Sequence, residues 1–451
     1  MAEHDEEMEL ETAEPSGPLL SAATPDYLTA LRRGRGAAFA DPLYGVVRVA
    51  EWAAALLATP PFQRLAGVSL SNVPGPLLFG HAFPSRLEHS LGAYHLARQA
   101  RPRDRILQAA ALAHDLGHGP FSHLSEPALR ECLHMSHEER SGHLLALVRD
   151  ALSPATLRNL SWLDWEEVAR LINGHGSDGR GALLSGTLDF DNIDNVARFK
   201  LMADLGEPSY EPVALARALR PSPGASTTDG LVPAALRAHQ GAYLLPGHTE
   251  PAVAWLRDRE IVYGFLHTTH HNLVCNAMLR ASIDSALATG YLDAAFFALT
   301  DAEALESLAS APDAGVAMLA GLARARAFYE CVWEGECAPH VEALAHTLGA
   351  REARTALRRR LAAEAGLAPH EVVIAAQLSS AWRALPPVAR GASLEPIVLP
   401  QPDDTPRLLH VFCAPGAPAD YVHRLRLAAS RLLRPLGVTA VEYPSLPVAS
   451  W

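Results

Sequence analysis

Between Arg86 and Glu126 the chain concentrates imidazole and carboxylate side chains, among them His89, His114, Asp115, His118, His123 and Glu126, within RLEHSLG and HDLGHGPFSHLSE. Their neighbours are apolar at helical spacing: Leu87, Leu91 and Tyr94 share one face with Leu96 close by, and Leu107, Ala110 and Ala111 share another with His114. Gly117, Gly119 and Pro120 then stop the second helix, which puts His114 at a helix terminus facing inward. A fold that accommodates this run has to bury several polar groups at once. Buried polar groups require partners or a bound ion.

The remainder of the sequence favours helices as the material for such a fold. Hydrophobic residues make up 49% and aromatic residues 6% of 451 positions, with Ala and Leu dominant, a composition suited to packed helices. The length exceeds what one core sustains and implies two or three domains. The formal charge of −12 is uneven, because eight acids and no Lys or Arg precede Arg32. No global basic footprint for nucleic acid is present, and Lys200 is the single lysine. Five scattered cysteines argue against a disulfide framework and for a reducing compartment. The acidic start is unlike a signal peptide and no apolar run is long enough to span a bilayer, so a cytoplasmic, membrane-free protein is expected.

Taken in order, residues 1–36 read as a disordered acidic tail. The fold begins near Asp41 with an extended segment and a helix from Ala50 to Leu57. Helices follow from Arg86, from Asp104 to Leu116, at 124–133, 137–152 and 164–173, and from Asp191 to Met202. The stretch Arg220–Pro233 reads as a surface loop, and helical periodicity returns over 251–287, 302–348 and 350–365. Beyond Glu371, VVIAA, IVLP, LLHVFCAP, ADYVHRLRLAASRLL and GVTAVEYP read as short strands around one helix. The expected architecture is mainly α: a helical bundle over 37–300, a helical extension over 301–370 and a small α+β module over 371–451.

A divalent transition metal takes imidazole and carboxylate donors at neutral pH. A His-Asp dipeptide at a helix end can turn both groups toward one ion. His89, one helix earlier, and the DFDNIDN segment on a later helix extend the set to His89, His114, Asp115 and Asp191. CVWEGEC has a five-residue gap between its cysteines and no partner pair, which argues against zinc there, and GHGSDGRG lacks the GK[ST] ending of a P-loop.

DPLYG, TPPFQRL, FPSRLEHSLG, HDLGHGPFSH, SHEERSG and SGTLDFDNIDNVARF, in this order across 41–200, resemble the HD-domain phosphohydrolase superfamily, specifically its deoxynucleoside-triphosphate triphosphohydrolase branch. The resemblance implies one divalent ion (Mn, Fe, Mg, Zn or Ni) on His89, His114, Asp115 and Asp191. It implies catalytic roles for His118, His123 and His137, with Glu126 orienting His123, and a phosphate contact at Arg86. It further implies attack of water on the α-phosphorus with release of deoxynucleoside and triphosphate, a nucleotide or related phosphoester as partner, and a homo-oligomer. His267 and His270 of the HTTHH stretch fall where the branch supplies pocket residues, and Lys200 offers positive charge beside Phe199.

The substrate-reading shell departs from that branch. Asn192 stands in place of a lysine, Asn195 in place of an aromatic residue and Phe199 in place of an acid, while Ala66 and Leu70 replace an arginine and a glutamine. Two other readings follow from these departures: a nucleotide sensor that kept the scaffold without chemistry, and a phosphohydrolase for another phosphoester or signalling nucleotide.

Overall fold

In the computed structural model, the residues described are 20–21, 37–80, 83–176, 178–222, 241–338, 342–376, 384–391, 393–399 and 407–441. The acidic tail therefore lies outside the described residues except for strand β1 (Leu20–Ser21), which pairs parallel with β2 (Ala37–Asp41). β2 turns back into β3 (Gly45–Val49) as an antiparallel hairpin.

Helix α1 (Arg86–Ala100) starts at a capping box in which Ser85 and Glu88 exchange hydrogen bonds with each other's backbone. Two of the donors left over at a helix start are thereby satisfied. Helix α2 (Arg105–Ala113) is capped by Asp104, whose carboxylate accepts from Leu107 N–H. Helix α3 (Glu126–Leu133) is followed by α4 (His137–Asp150), which opens on a second capping box from Ser136 and Glu139. Next come α5 (Trp165–Ile172) and α6 (Phe190–Met202), the latter capped by Asp189. Leu87, Leu91 and Tyr94 of α1 share one core with Leu107, Ala110 and Ala111 of α2 and with Ile193 and Val196 of α6. Burial of each large aliphatic side chain is worth roughly 1.5–3 kcal/mol. The packing of α1, α2 and α6 fixes the directions of the polar side chains between them.

The expected helix over 251–287 is divided at Thr269 into α7 (Thr249–Thr268) and α8 (His270–Ala288). Helices α9 (Asp301–Ala309) and α10 (Ala314–Arg324) follow, and α10 packs on α8 in a second core. The helical reading of 302–348 fails over β6 (Glu330–Cys337). There Trp333, Gly335 and Cys337 are buried in alternation, and the strand pairs with partners some seventy residues away. Such pairing is non-local and overrides local propensity.

The C-terminal sheet has the order β11 (Val438–Ala440), β6, β10 (Arg407–Cys413), β7 (Val372–Ala376). Helices α11 (Arg351–Ala365) and α12 (Ala419–Leu433) cover one face around Trp333, Leu361, Leu409, Val411 and Leu425. The α+β module thus draws a strand from well before Glu371. The expected loop at Arg220 opens inside strand β4 (Leu219–Pro221), and 223–240 lie outside the described residues. β4 continues into a sheet with β5 (Ala242–Leu244), β8 (Val388–Arg390) and β9 (Ser393–Glu395), so C-terminal chain also packs against the helical region. Residues 397–399, the described part of the IVLP run, form no strand. Among the described residues, no helix is long and apolar enough to cross a membrane.

Candidate metal centre

Helices α1, α2 and α6 bring the four expected ligands to one point. His89 Nε2 lies 2.9 Å from Asp191 Oδ1 and 3.7 Å from Asp115 Oδ2. His114 Nε2 lies 3.2 Å from His89 Nε2, 3.4 Å from Asp115 Oδ1 and 3.9 Å from Asp191 Oδ1. His89, His114 and Asp115 are buried, whereas the Asp191 side chain is 32% exposed and marks one side of the opening.

The other ring nitrogens explain why this set suits a cation. His89 donates Nδ1–H to Asp194 Oδ1 at 2.7 Å, and His114 donates Nδ1–H to the Ala111 carbonyl at 2.8 Å. With Nδ1–H bonded on both rings, the two Nε2 atoms point toward each other and toward two carboxylates. Such a convergence of donors calls for positive charge: a proton held on His89 where no ion is bound, or a divalent ion that displaces it. Burial alone would push His89 down, but its bonds to Asp191 and Asp194 and the nearby Asp115 charge raise it to about 10. Burial likewise opposes ionisation of Asp115 and Asp191. Arg86 and the neighbouring histidines outweigh it at Asp115, and His114 with His89 outweighs it at Asp191, so both stay below the usual carboxylate range.

Asp194 belongs to a layer that the sequence reading had not singled out. Its Oδ1 accepts from His89, its two oxygens accept from Arg198 Nε and Nη2 at 2.9 and 3.0 Å, and Tyr44 OH donates to Oδ2 at 2.8 Å. Arg198 Nη1 reaches Asp41 at 2.9 Å, so the DPLYG segment is tied to the ligand His89 through one buried chain of charges. The signal was present in the spacing: Asp191, Asp194 and Arg198 recur at three- and four-residue steps along one helix face. Gly92 makes room for the pair, since a Cβ there would lie 1.8 Å from Asp194 Oδ2.

Beside the ligands stands a stack of histidines. His118 donates toward Asp115 Oδ1 at 3.2 Å, and its ring stacks on His137 with centroids 3.9 Å apart. His123 packs edge-on against His118 at 4.7 Å and lies 3.1 Å from Glu126 Oε2. His137 Nδ1 sits 3.1 Å from Glu126 Oε1, off the hydrogen-bonding direction. Burial works against the Glu126 charge, but His123 and His137 overcome it and hold the carboxyl far below its ordinary range. Burial, helped by the Arg86 charge, keeps His118 well below the ordinary imidazole range. The His123 side chain is 53% exposed and faces solvent on the side of the stack.

The SHEERSG segment locks this stack in place. Ser141 Oγ accepts from Gly117 N–H and donates to the His114 carbonyl, at 2.7 and 2.6 Å, and Arg140 donates to the carbonyls of Gly117 and Phe297. A Cβ on Gly117 would come within 1.9 Å of the His137 carbonyl oxygen. That close approach seats α4 against the HD loop.

The expected substrate contacts are placed otherwise. Arg86 is buried, with Nη1 on Asp115 Oδ2 at 2.7 Å and Nε on Ser122 at 2.8 Å, and so holds a ligand in position. Lys200 Nζ donates to Asp258 at 2.6 Å and to Ser209 at 3.1 Å inside the protein. His270 packs its ring on Phe412 of the C-terminal sheet at 5.3 Å, and the side chain of His267 lies outside the described ones. Asn192 donates to Asp189, while Arg259, stacked 3.8 Å over Tyr263, donates to Asn192 Oδ1 at 3.4 Å. Phe199 joins an aromatic cluster with Phe83 and Phe265, and Leu70 is buried. Both positions, Leu70 and Phe199, are thus filled by buried apolar side chains.

Residues 86–215 match the family model described as "HD domain". The uncharacterized protein YwfO of Bacillus subtilis is 30% identical over 199 residues, which are 41% of this chain and 44% of that protein. The human deoxynucleoside triphosphate triphosphohydrolase SAMHD1 is 34% identical over 119 residues, 22% of this chain and 19% of its own length. The chain thus spans less than half of the length of these curated relatives. A crystal structure of a hypothetical protein from Aquifex aeolicus shares the fold, with a TM-score of 0.61 at 19% identity over 86% of this chain and 100% of that one. The stretch that supplies His89, His114, Asp115 and Asp191 is the one that matches the HD-domain model.

Proposed function

We propose that the protein is a metal-dependent phosphohydrolase acting on nucleotides, of the deoxynucleoside-triphosphate triphosphohydrolase type. The observation that carries this reading is the pairing of a four-donor centre with a solvent-facing His123–Glu126 couple beside it. When bound, the ion supplies positive charge to a phosphoryl group. His89, His114, Asp115 and Asp191 hold it, and Arg86 and Asp194 keep two of those ligands in register. A water oxygen forms the new bond to the α-phosphorus and releases its proton to solvent, and the bond from phosphorus to the 5′-oxygen breaks. His123, oriented by Glu126, gives its proton to that leaving oxygen, so the products are deoxynucleoside and triphosphate. His118 and His137 position the couple through their stack.

Apolar Leu70 and Phe199, where the resembled branch has a glutamine and an acid, favour a substrate whose sugar or base differs from that of ordinary deoxynucleotides. They also favour the second reading, a nucleotide sensor without turnover. A screen of nucleotides and other phosphoesters against Mn, Fe, Mg, Zn and Ni tests both. The expected result is product from at least one nucleotide, abolished by His114→Ala and by Asp115→Ala. Activity indifferent to both substitutions overturns the enzyme reading, and ligand-induced stabilisation with no product supports the sensor.

A further inference from the structure

A second cluster of metal-type donors lies on the C-terminal sheet, separate from the HD centre. Cys331 Sγ is 3.8 Å from Glu334 Oε1 and 3.9 Å from His410 Nδ1, and His410 Nδ1 is 3.0 Å from Glu334 Oε1. In sequence this group is invisible. Cys331 and Glu334 sit in CVWEGEC, whose second cysteine suggests the wrong pairing, and His410 lies 79 residues beyond Cys331.

A β-bulge creates the cluster. Residues three apart on a regular strand point to opposite faces, so Cys331 and Glu334 should not meet. In the ladder Glu334 faces His410 and Trp333 faces Val411, but Cys331 faces Phe412, and Val332 is left without a partner. The extra residue returns Cys331 to the face occupied by Glu334, directly beside His410. The bulge is held from outside: the carbonyl of Val332 accepts from Arg426 Nε at 2.8 Å. On the opposite face Trp333 and Cys337 enter the core beneath α11 and α12. Cys337 is thus turned away from Cys331.

Distances decide the kind of site. Tetrahedral zinc, with bonds of about 2.3 Å to sulfur and about 2.0–2.1 Å to nitrogen and oxygen, has donor-to-donor edges of roughly 3.3–3.6 Å. The observed edges of 3.0, 3.8 and 3.9 Å reach that triangle with shifts of a few tenths of an ångström. Thiolate, imidazole and carboxylate together select a borderline-soft divalent ion over magnesium or calcium. His410 is buried, while Cys331 and Glu334 are only partly covered, which leaves the ion a path of entry.

We propose that Cys331, Glu334 and His410 form a three-ligand, zinc-type site that leaves its fourth position to water and ties strand β6 to β10. The bulge at Val332 is the device that assembles it. Binding releases the Cys331 thiol proton to solvent, and Glu334 and neutral His410 supply the other two donor atoms.

Cobalt(II) separates this site from the HD centre, because only a thiolate ligand gives a sulfur-to-cobalt charge-transfer band. The HD ligands described above contain nitrogen and oxygen alone. Full-length protein stripped with a chelator and titrated with Co²⁺ is expected to show that band. Cys331→Ser should abolish it and remove one equivalent of bound metal, with the HD equivalent retained. His410→Gln carries the same expectation if Cys331→Ser fails to fold. Absence of the band in the wild-type protein, or a band undiminished in either variant, overturns the proposal. An ordinary Glu334–His410 hydrogen bond beside a thiol would then be the whole content of the cluster.

Discussion

Asp194 Oδ1 lies 2.7 Å from His89 Nδ1, on the side of the ring opposite the nitrogen that faces His114 and Asp191. That bond sets the tautomer of a ligand from a residue that touches no ion itself. Carboxylates behind metal-bound histidines typically tune affinity by about 10–100-fold. Asp194→Asn should therefore weaken divalent-metal binding by about that factor, measured by chelator competition. Unchanged affinity would show that the His89 ring is held by packing alone.

Gly92 controls the same contact sterically. An alanine Cβ would sit 1.8 Å from Asp194 Oδ2 and 2.6 Å from Arg198 Nη2, both buried. Overpacking of this kind costs about 1–3 kcal/mol. Gly92→Ala should lower stability by that amount in chemical denaturation and reduce metal content, and a wild-type midpoint would argue against a tight fit.

His123 is expected to separate chemistry from metal binding. It lies 3.1 Å from Glu126 and is not among the four ligands. His123→Gln should lower kcat by about 10²–10⁴-fold, while metal content measured by elemental analysis stays at the wild-type level. Loss of metal together with activity would move His123 into the ligand set.

Lys200 offers a contrast between a structural and a substrate role. Its ammonium meets Asp258 at 2.6 Å, with both side chains buried. Removing one partner of a buried pair costs about 3–5 kcal/mol because the other charge is left uncompensated. Lys200→Met should show that loss in denaturation with KM unchanged. A raised KM with unchanged stability would restore Lys200 to the substrate site.

His95 predicts part of the pH dependence. Burial beside Tyr44, with Arg98 and Arg198 adding to it and Asp41 and Asp194 opposing, holds its folded-state pKa below the ordinary 6.5. The unfolded chain therefore binds a proton that the folded chain rejects. The stability associated with neutral His95 is complete above pH 6.5 and is lost as pH falls below it. His95→Gln should flatten this acid limb in urea denaturation at a series of pH values, and an unchanged slope would remove His95 from the account.

The mainly helical class and the helix starts at Arg86 and His137 were legible because they rest on local rules, which also pointed to the grouping of His89, His114, Asp115 and Asp191. Capping residues, apolar spacing and glycine stops act within one or two turns, and Ser85, Ser136 and Gly117 carry those rules openly. Strand β6 was not legible, since ECVWEGEC gains its alternation only from partners at 407–413 and 438–440. The same holds for β8, which leaves the C-terminal module to pair with β5, and for β9, which pairs with β8.

By itself the sequence determined which groups are available for chemistry: two imidazoles and two carboxylates on helices whose apolar faces must pack together. Only the tertiary structure decided what each charge does. Arg86 turned to Asp115, Lys200 to Asp258 and Asp194 to His89 because burial obliges a charged group to find an opposite partner. Which partner lies within reach is set by how the helices pack, and that is a property of the whole fold.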